Sequence, residues 1–213
     1  NGMRVARAFV EADPKARPLL CAVELCSLHF QYGWEADWLV ANSLFADGAA
    51  AAVIGPPGGD RTDAWRIQAL GSCLMPDSED AMTWRIADHG FQMSLSAQVP
   101  ELIARYLRPW LESWLKAEGF AIEQIGSWAV HPGGPRILGS VTDALGLPAQ
   151  VTDVSAAVLA EHGNMSSPTV LFVIEQLQRL ASPRPRGLGL RPRADRRSGA
   201  IPLMPAERRI TGS

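Results

Sequence analysis

Cysteine is scarce in this chain. Cys21, Cys26 and Cys73 are the only three in 213 residues, and their spacing fits neither a zinc ligand set nor a disulfide framework, so a reducing, cytoplasmic setting is expected. Long apolar runs are missing too. None approaches the roughly 20 residues of a bilayer-spanning helix, and no signal-like segment opens the chain. Excess positive charge is also lacking: net charge is −2, and eight arginines against Asp195 and Glu207 in residues 182–213 leave −8 for residues 1–181. An acidic body repels polyanions, so neither nucleic acid nor a membrane is expected as a partner.

What is present is the composition of a globular enzyme, 47% hydrophobic and 20% charged, enough to bury a sizeable core. The pattern along the chain predicts a helix over Gly2–Ala12, with Val5, Ala8 and Phe9 on its apolar side, closed by Asp13-Pro14. Pro18–Leu25 and Ala49–Ile54 are short apolar runs of strand length without alternation, the look of strands covered on both faces. The cluster Gly55-Pro56-Pro57-Gly58-Gly59 marks a boundary between two halves. Trp65–Leu74 and Phe91–Ser96 read as strands. Leu102, Ile103, Tyr106, Leu107, Trp110, Leu111, Trp114 and Leu115 then recur at three and four residues until Gly119, the period of a core-facing helix. Ile125–Val130 reads as a strand, Pro135–Leu145 as a helix stopped by Gly146, and Ser167-Pro168 as the cap and first turn of another. Strands alternating with helices predict an α/β layered fold, with no internal repeat.

Two strings stand apart from this scaffold. His131-Pro132-Gly133-Gly134-Pro135 and His162-Gly163-Asn164-Met165-Ser166-Ser167-Pro168 follow apolar runs and precede helix signals, the strand-loop-helix setting in which α/β enzymes keep polar chemistry. Both resemble motifs of the type III polyketide synthases, the chalcone synthase-like branch of the thiolase superfamily. Leu44-Phe45-Ala46-Asp47-Gly48-Ala49-Ala50-Ala51 is similar to a further stretch of that family, with Ala46 in place of a glycine, and so is Met75-Pro76-Asp77-Ser78-Glu79-Asp80. The resemblance runs from about Gly2 to Leu180.

The resemblance implies a thiolase-like layered αβαβα fold, here incomplete: the second part of the first half in residues 1–58, most of the C-terminal half in 59–181, and a basic Pro/Arg-rich tail in 182–213. It implies an acyltransferase that condenses an acyl-CoA starter with malonyl-CoA by decarboxylative Claisen condensation, as a homodimer, with CoA thioesters as substrates and no metal or other cofactor. His131 and Asn164 would be the histidine and asparagine of the Cys-His-Asn triad, donating hydrogen bonds to the thioester oxygen and the developing enolate. One such donor is typically worth about 3 kcal/mol of barrier. Phe45 would be the aromatic wall between CoA tunnel and cavity. Cys26, Leu28, His29, Trp84, Met93 and Ser166 would face the cavity, which Trp84 makes narrower where plant members have glycine. Arg136 would stand near a CoA phosphate, and His162 would be a structural neighbour. None of the three cysteines opens a helix after a glycine turn, so the family's nucleophile is expected just upstream of Asn1, and the chain is expected to be a fragment that is inactive alone.

The likeness stops at Ser182-Pro183-Arg184-Pro185-Arg186. There the family continues with a strand and a Gly-Phe-Gly-Pro-Gly loop, and two readings of the tail stay open: a frameshifted version of that end, or a true basic tail, disordered or bound to an acidic partner. Two functional rivals also remain. One is a β-ketoacyl carrier-protein synthase III, which shares the fold and triad but carries a different string after the histidine. The other is a non-catalytic acyl-binding or interaction protein on the same scaffold.

Overall fold

A computed structural model describes residues 1–56, 64–88, 90–181 and 203–205. Helix α1 spans Gly2–Ala12 as expected, but it buries Ala6 and Val10 while Val5 and Phe9 are more than half exposed. The apolar side read from the sequence therefore faces outward. Strands β1 (Leu19–Glu24) and β2 (Gly48–Val53) pair antiparallel with Leu19 opposite Val53 and Glu24 opposite Gly48. Their exposure alternates residue by residue, which corrects the expectation of strands covered on both faces. Leu19, Val23 and Val53 stand on the open side. Between these strands, residues Cys26–His29 form a 3-10 turn and Ala36–Leu44 form helix α2.

Strand β3 is confined to Trp65–Ile67 rather than running to Leu74. It pairs with Leu203–Pro205 (β6), the one part of the basic tail among the described residues. The Met75–Asp80 motif follows as a turn, with Asp77 at φ 53° and the Ser78 hydroxyl donating to the Met75 carbonyl at 2.7 Å. Strands β4 (Met82–Ala87) and β5 (Gly90–Leu95) form a hairpin with Trp84 opposite Met93. Alternation in Met82–Ala87 is weak, and the sequence reading missed that strand.

Residues 99–181 are mainly helical. Helix α3 (Val99–Ala117) follows the expected period and continues past Pro109, with Leu111 and Leu115 fully inside. A 3-10 turn at Ile122–Gln124 leads into an extended segment where a strand was expected at Ile125–Val130. Side-chain burial shapes that segment rather than a ladder: Trp128 packs with Leu111, Leu115, Ile122 and Leu145 in one core cluster. Helix α4 (Pro135–Leu145) ends at Gly146 in the left-handed conformation, φ 65° and ψ 36°, the glycine stop that the sequence announces. Helix α5 (Asp153–His162) was not anticipated, and α6 (Ser167–Ala181) was. A second cluster joins Val158 of α5, Met165 and Val173 of α6, with Ala46 and Ala129 at its border. Among the described residues no helix is long and apolar enough to cross a membrane.

Candidate functional site

The two glycine-rich loops converge on one tripeptide. Asn164 forms a parallel bridge with Phe45: its N–H donates to the Leu44 carbonyl at 2.8 Å, and its carbonyl accepts from the Ala46 N–H at 3.0 Å. The approach needs Gly163, at φ 73°, where a Cβ would lie 2.8 Å from that of Ala46. From the other loop, Gly134 points toward Leu44: a Cβ built on it would lie 3.9 Å from Leu44 Cδ2. Its φ of 156° and ψ of 163° lie in a region essentially reserved for glycine, and Pro135 starts α4 immediately after it. Ala129 and Met165, close in sequence to His131 and Asn164, border or belong to the same apolar cluster. Burial of these neighbours, worth about 1.5–3 kcal/mol for a side chain the size of Met165, helps to fix where the two polar residues stand.

Asn164 is 3% exposed. Its Oδ1 accepts from the Ser166 N–H at 2.9 Å and from the Thr169 hydroxyl at 3.5 Å. Because a backbone N–H can only donate, the oxygen is identified and the amide NH2 must point the other way. Among the described residues no group accepts from that NH2, and Ser155 Oγ is the sole sealed side-chain polar atom without a partner. The carboxamide is therefore held by its acceptor and presents its donor to an accessible space. Ser166 follows at φ 56°, a left-handed conformation that costs a non-glycine residue about 1–3 kcal/mol and clusters at functional sites. The Asx turn from Asn164 compensates part of that cost.

His131 is exposed at its edge, yet the surrounding protein withdraws enough water to lower its pKa through desolvation. The two facts agree if the ring lines a concave wall: its rim is wet while its base is dry. The neighbouring Pro132 is fully buried, and the Gly133 N–H donates to the His131 carbonyl at 3.0 Å. Arg136 is exposed in the first turn of α4, beside this loop. His162 closes α5 and packs edge-on against Phe172 at 5.2 Å between ring centroids.

Phe45 connects Asn164 to a pocket. Its backbone bridges Asn164, and its side chain lines a small cleft with Cys26, His29, Gln31, Trp38, Ala41, Trp84, Phe91 and Met93. The interior of that cleft is about 40 Å³, room for a few water molecules. Five residues expected around a cavity, Phe45, Cys26, His29, Trp84 and Met93, thus meet in one place. Leu28 does not join them; it is 66% exposed. The cause is the 3-10 turn, in which residues three apart share a face, so Cys26 and His29 point inward together and Leu28 points elsewhere. Ser166 also lies outside the cleft and serves Asn164 through its N–H. The sequence reading missed Trp38 and Ala41, although their spacing with Phe45 (i, i+3, i+7) is the stripe of one helix face.

Asp47 secures the turn. Its carboxylate accepts from the Ser27 hydroxyl at 2.6 Å and the Ser27 N–H at 2.7 Å, and these bonds lower its pKa, the hydroxyl first. Burial, and after it the carboxylates of Glu24 and Asp47, raise the Cys26 thiol above its ordinary pKa. Cys26 is thereby kept protonated rather than activated. A larger open groove of about 510 Å³ runs along β2 and α6 and holds none of the sequence-predicted residues. Among the described residues no group of three or more His, Cys, Asp or Glu is placed to hold a metal.

Comparison with known proteins gives the chain's family. The family description "Chalcone and stilbene synthases, C-terminal domain" matches residues 67–185. The chain is 39% identical over 184 residues to a 1,3,6,8-tetrahydroxynaphthalene synthase of Streptomyces peucetius subsp. caesius, covering 85% of this chain and 49% of that protein. It is 34% identical over 181 residues to a putative chalcone synthase of Bacillus subtilis (strain 168), covering 82% and 50%. Among solved structures, PKS-I of the brown alga Ectocarpus siliculosus superposes with a TM-score of 0.81 at 33% identity, over 85% of this chain and 48% of that one. The tetrahydroxynaphthalene synthase of Streptomyces coelicolor A3(2), a bacterial type III polyketide synthase, gives 0.74 at 33%, over 84% and 50%. The chain spans about half the length of these relatives. A match over more than half of the chain, on the region that holds both loops, makes it a member of the chalcone and stilbene synthase family, the type III polyketide synthases, with their thiolase-like αβ fold.

Proposed function

We propose that this chain supplies the hydrogen-bond donors and part of the cavity of a type III polyketide synthase that condenses an acyl-CoA starter with malonyl-CoA by decarboxylative Claisen condensation. Asn164 Nδ2 and the His131 imidazole donate to the thioester oxygen and then to the enolate oxygen left when malonyl loses carbon dioxide. The attack of that enolate on an enzyme-bound acyl thioester forms the new carbon–carbon bond and releases the enzyme thiol. Fixed donors stabilise the developing oxyanion without reorganising at the moment of reaction. In this reading Phe45 walls the cavity, and Arg136, exposed beside the His131 loop, meets a CoA phosphate. No metal or redox cofactor is needed for this chemistry, and the assembly we propose is a homodimer in the cytoplasm.

The observation that carries the reading is the orientation of Asn164, whose acceptor is consumed internally while its donor stays free. The nucleophile has to come from outside this chain. Cys21 and Cys73 are exposed, Cys26 has a raised pKa, and none of them opens an α-helix. The chain alone, mixed with acyl-CoA and malonyl-CoA, should release no polyketide. Joined to the upstream half of the Streptomyces peucetius relative, it should do so, read by mass spectrometry. Failure of the joined protein to form any condensation product, while folded, sinks the proposal.

A further inference from the structure

We propose that His29 is a hydrogen-bond donor to substrate: a neutral imidazole whose Nε2–H binds a keto oxygen of the β-ketoacyl chain in the pocket bounded by Phe45, Trp84 and Met93. The inference rests on the polyketide reading above and deepens it by naming the group that recognises the chain. The ring is pinned on one side. The Phe91 N–H donates to His29 Nδ1 at 3.3 Å, so Nδ1 must carry a lone pair and the proton of the neutral ring sits on Nε2. A half-turn of the ring would set a C–H against that N–H and lose the bond.

Gly90 makes this contact possible. It sits at φ 111°, and a Cβ there would lie 3.0 Å from His29 Nδ1 and 3.2 Å from the Leu28 carbonyl oxygen. Two rings hold the imidazole edge-on, Phe91 at 5.1 Å and Trp84 at 6.1 Å between centroids. With Nδ1 committed to β5, Nε2 has no acceptor among the described residues, and the ring lines the pocket. Gln31 and Cys26, which share the cleft, are engaged or weak. The Gln31 side-chain amide donates to the His29 carbonyl at 3.2 Å, and the Gln31 backbone is bonded on both sides to Asn42. Cys26 carries a thiol held protonated, a poor hydrogen-bonding group. Alongside the indole N–H groups of Trp38 and Trp84, His29 thus offers a strong donor with no partner among the described residues, in a cleft walled mostly by Trp38, Phe45, Trp84, Phe91 and Met93, where an unmatched donor is costly. A β-ketoacyl chain matches it, because every second carbon bears an acceptor and none bears a donor.

The donor fixes one carbonyl and with it the fold of the chain that precedes ring closure. His29→Phe keeps an aromatic ring and removes the donor; His29→Gln places an amide N–H at similar reach. In the protein joined to the Streptomyces upstream half, His29→Phe should change the ratio of cyclised to shorter open or lactone products by about tenfold, the effect of one ordinary hydrogen bond. His29→Gln should restore most of it. An unchanged ratio in His29→Phe, or a His29→Gln protein that behaves like His29→Phe, overturns the assignment. Independently of turnover, 15N NMR of the unjoined chain at neutral pH should show a protonated Nε2 and a bare Nδ1, and the opposite tautomer overturns it as well. A joined wild-type protein that makes no polyketide brings down the proposed function; an active one indifferent to His29→Phe brings down only this inference.

Discussion

The helical part after Val99 and the strand-rich part before Ser96 solve the burial problem differently. Among the described residues, nine of the twelve buried hydrophobic ones, from Leu111 to Val173, belong to the helical part, whereas every large exposed hydrophobic except Leu180 lies at Phe91 or earlier. Helices α3 to α6 close on one another, so each apolar stripe finds a neighbour within the chain. Strands β1 and β2 pair with each other, which leaves one face of a two-stranded sheet and one side of α1 to solvent. A two-stranded sheet is marginal without a layer packed on it. Loops anchored in the helical part, around His131 and Asn164, are accordingly better braced than the aromatic pocket built from the 3-10 turn, α2 and the β4–β5 hairpin.

The sharpest way to break this contrast is by core truncation. Leu115→Ala, at 1% exposure, should cost about 2–5 kcal/mol in urea unfolding, the range for a large-to-small change in a packed core. Val23→Ala, on the open sheet face, should stay within about 0.5 kcal/mol. Equal costs would mean that the two parts are not differently packed. A second test separates brace from chemistry at Asn164. Asn164→Ala should lose about 1–3 kcal/mol by orphaning the Ser166 N–H. Asn164→Asp, which keeps the acceptor and removes the donor, should retain most stability yet abolish condensation in the joined protein.

Smaller effects refine the picture. Iodoacetamide should alkylate Cys26 more slowly than the exposed Cys21 and Cys73, because burial first and nearby carboxylates second keep its thiol protonated. Peptide mass spectrometry over a time course would show the order, and Cys26 reacting first would contradict the protected pocket. The smallest effect concerns His131. Desolvation lowers its pKa in the folded state, so between that value and the unfolded value near 6.5 the unfolded chain binds more protons. Its contribution to stability is complete above about pH 6.5 and declines as pH falls through the folded pKa. His131→Gln should therefore flatten the acid side of the stability profile, measured by denaturant midpoint against pH.

Much of this was legible in the chain itself. The α3 stripe, the Gly146 stop and the Ser167-Pro168 start are local signals, and each helix lies where they put it. Family membership also follows the two glycine-rich strings, and it decides against the carrier-protein synthase reading. What the sequence hid is non-local. The outward face of Val5 and Phe9 depends on which neighbours α1 has. Leu28 looks equivalent to Cys26 until the turn between them is known to have three residues per repeat. Gly90, a glycine like any other in the string, becomes significant only once His29 is found against it.

The bridge between Phe45 and Asn164 has one more consequence. A wall of the pocket and the carboxamide proposed as a donor are stitched to the same three residues, Leu44 to Ala46. Widening the cavity by substitution along that tripeptide would drag the carboxamide with it, so under the proposed function chain length and rate cannot be tuned there one at a time. Variation that alters only the size of the product has to come from the far wall, on the hairpin of Trp84 and Met93.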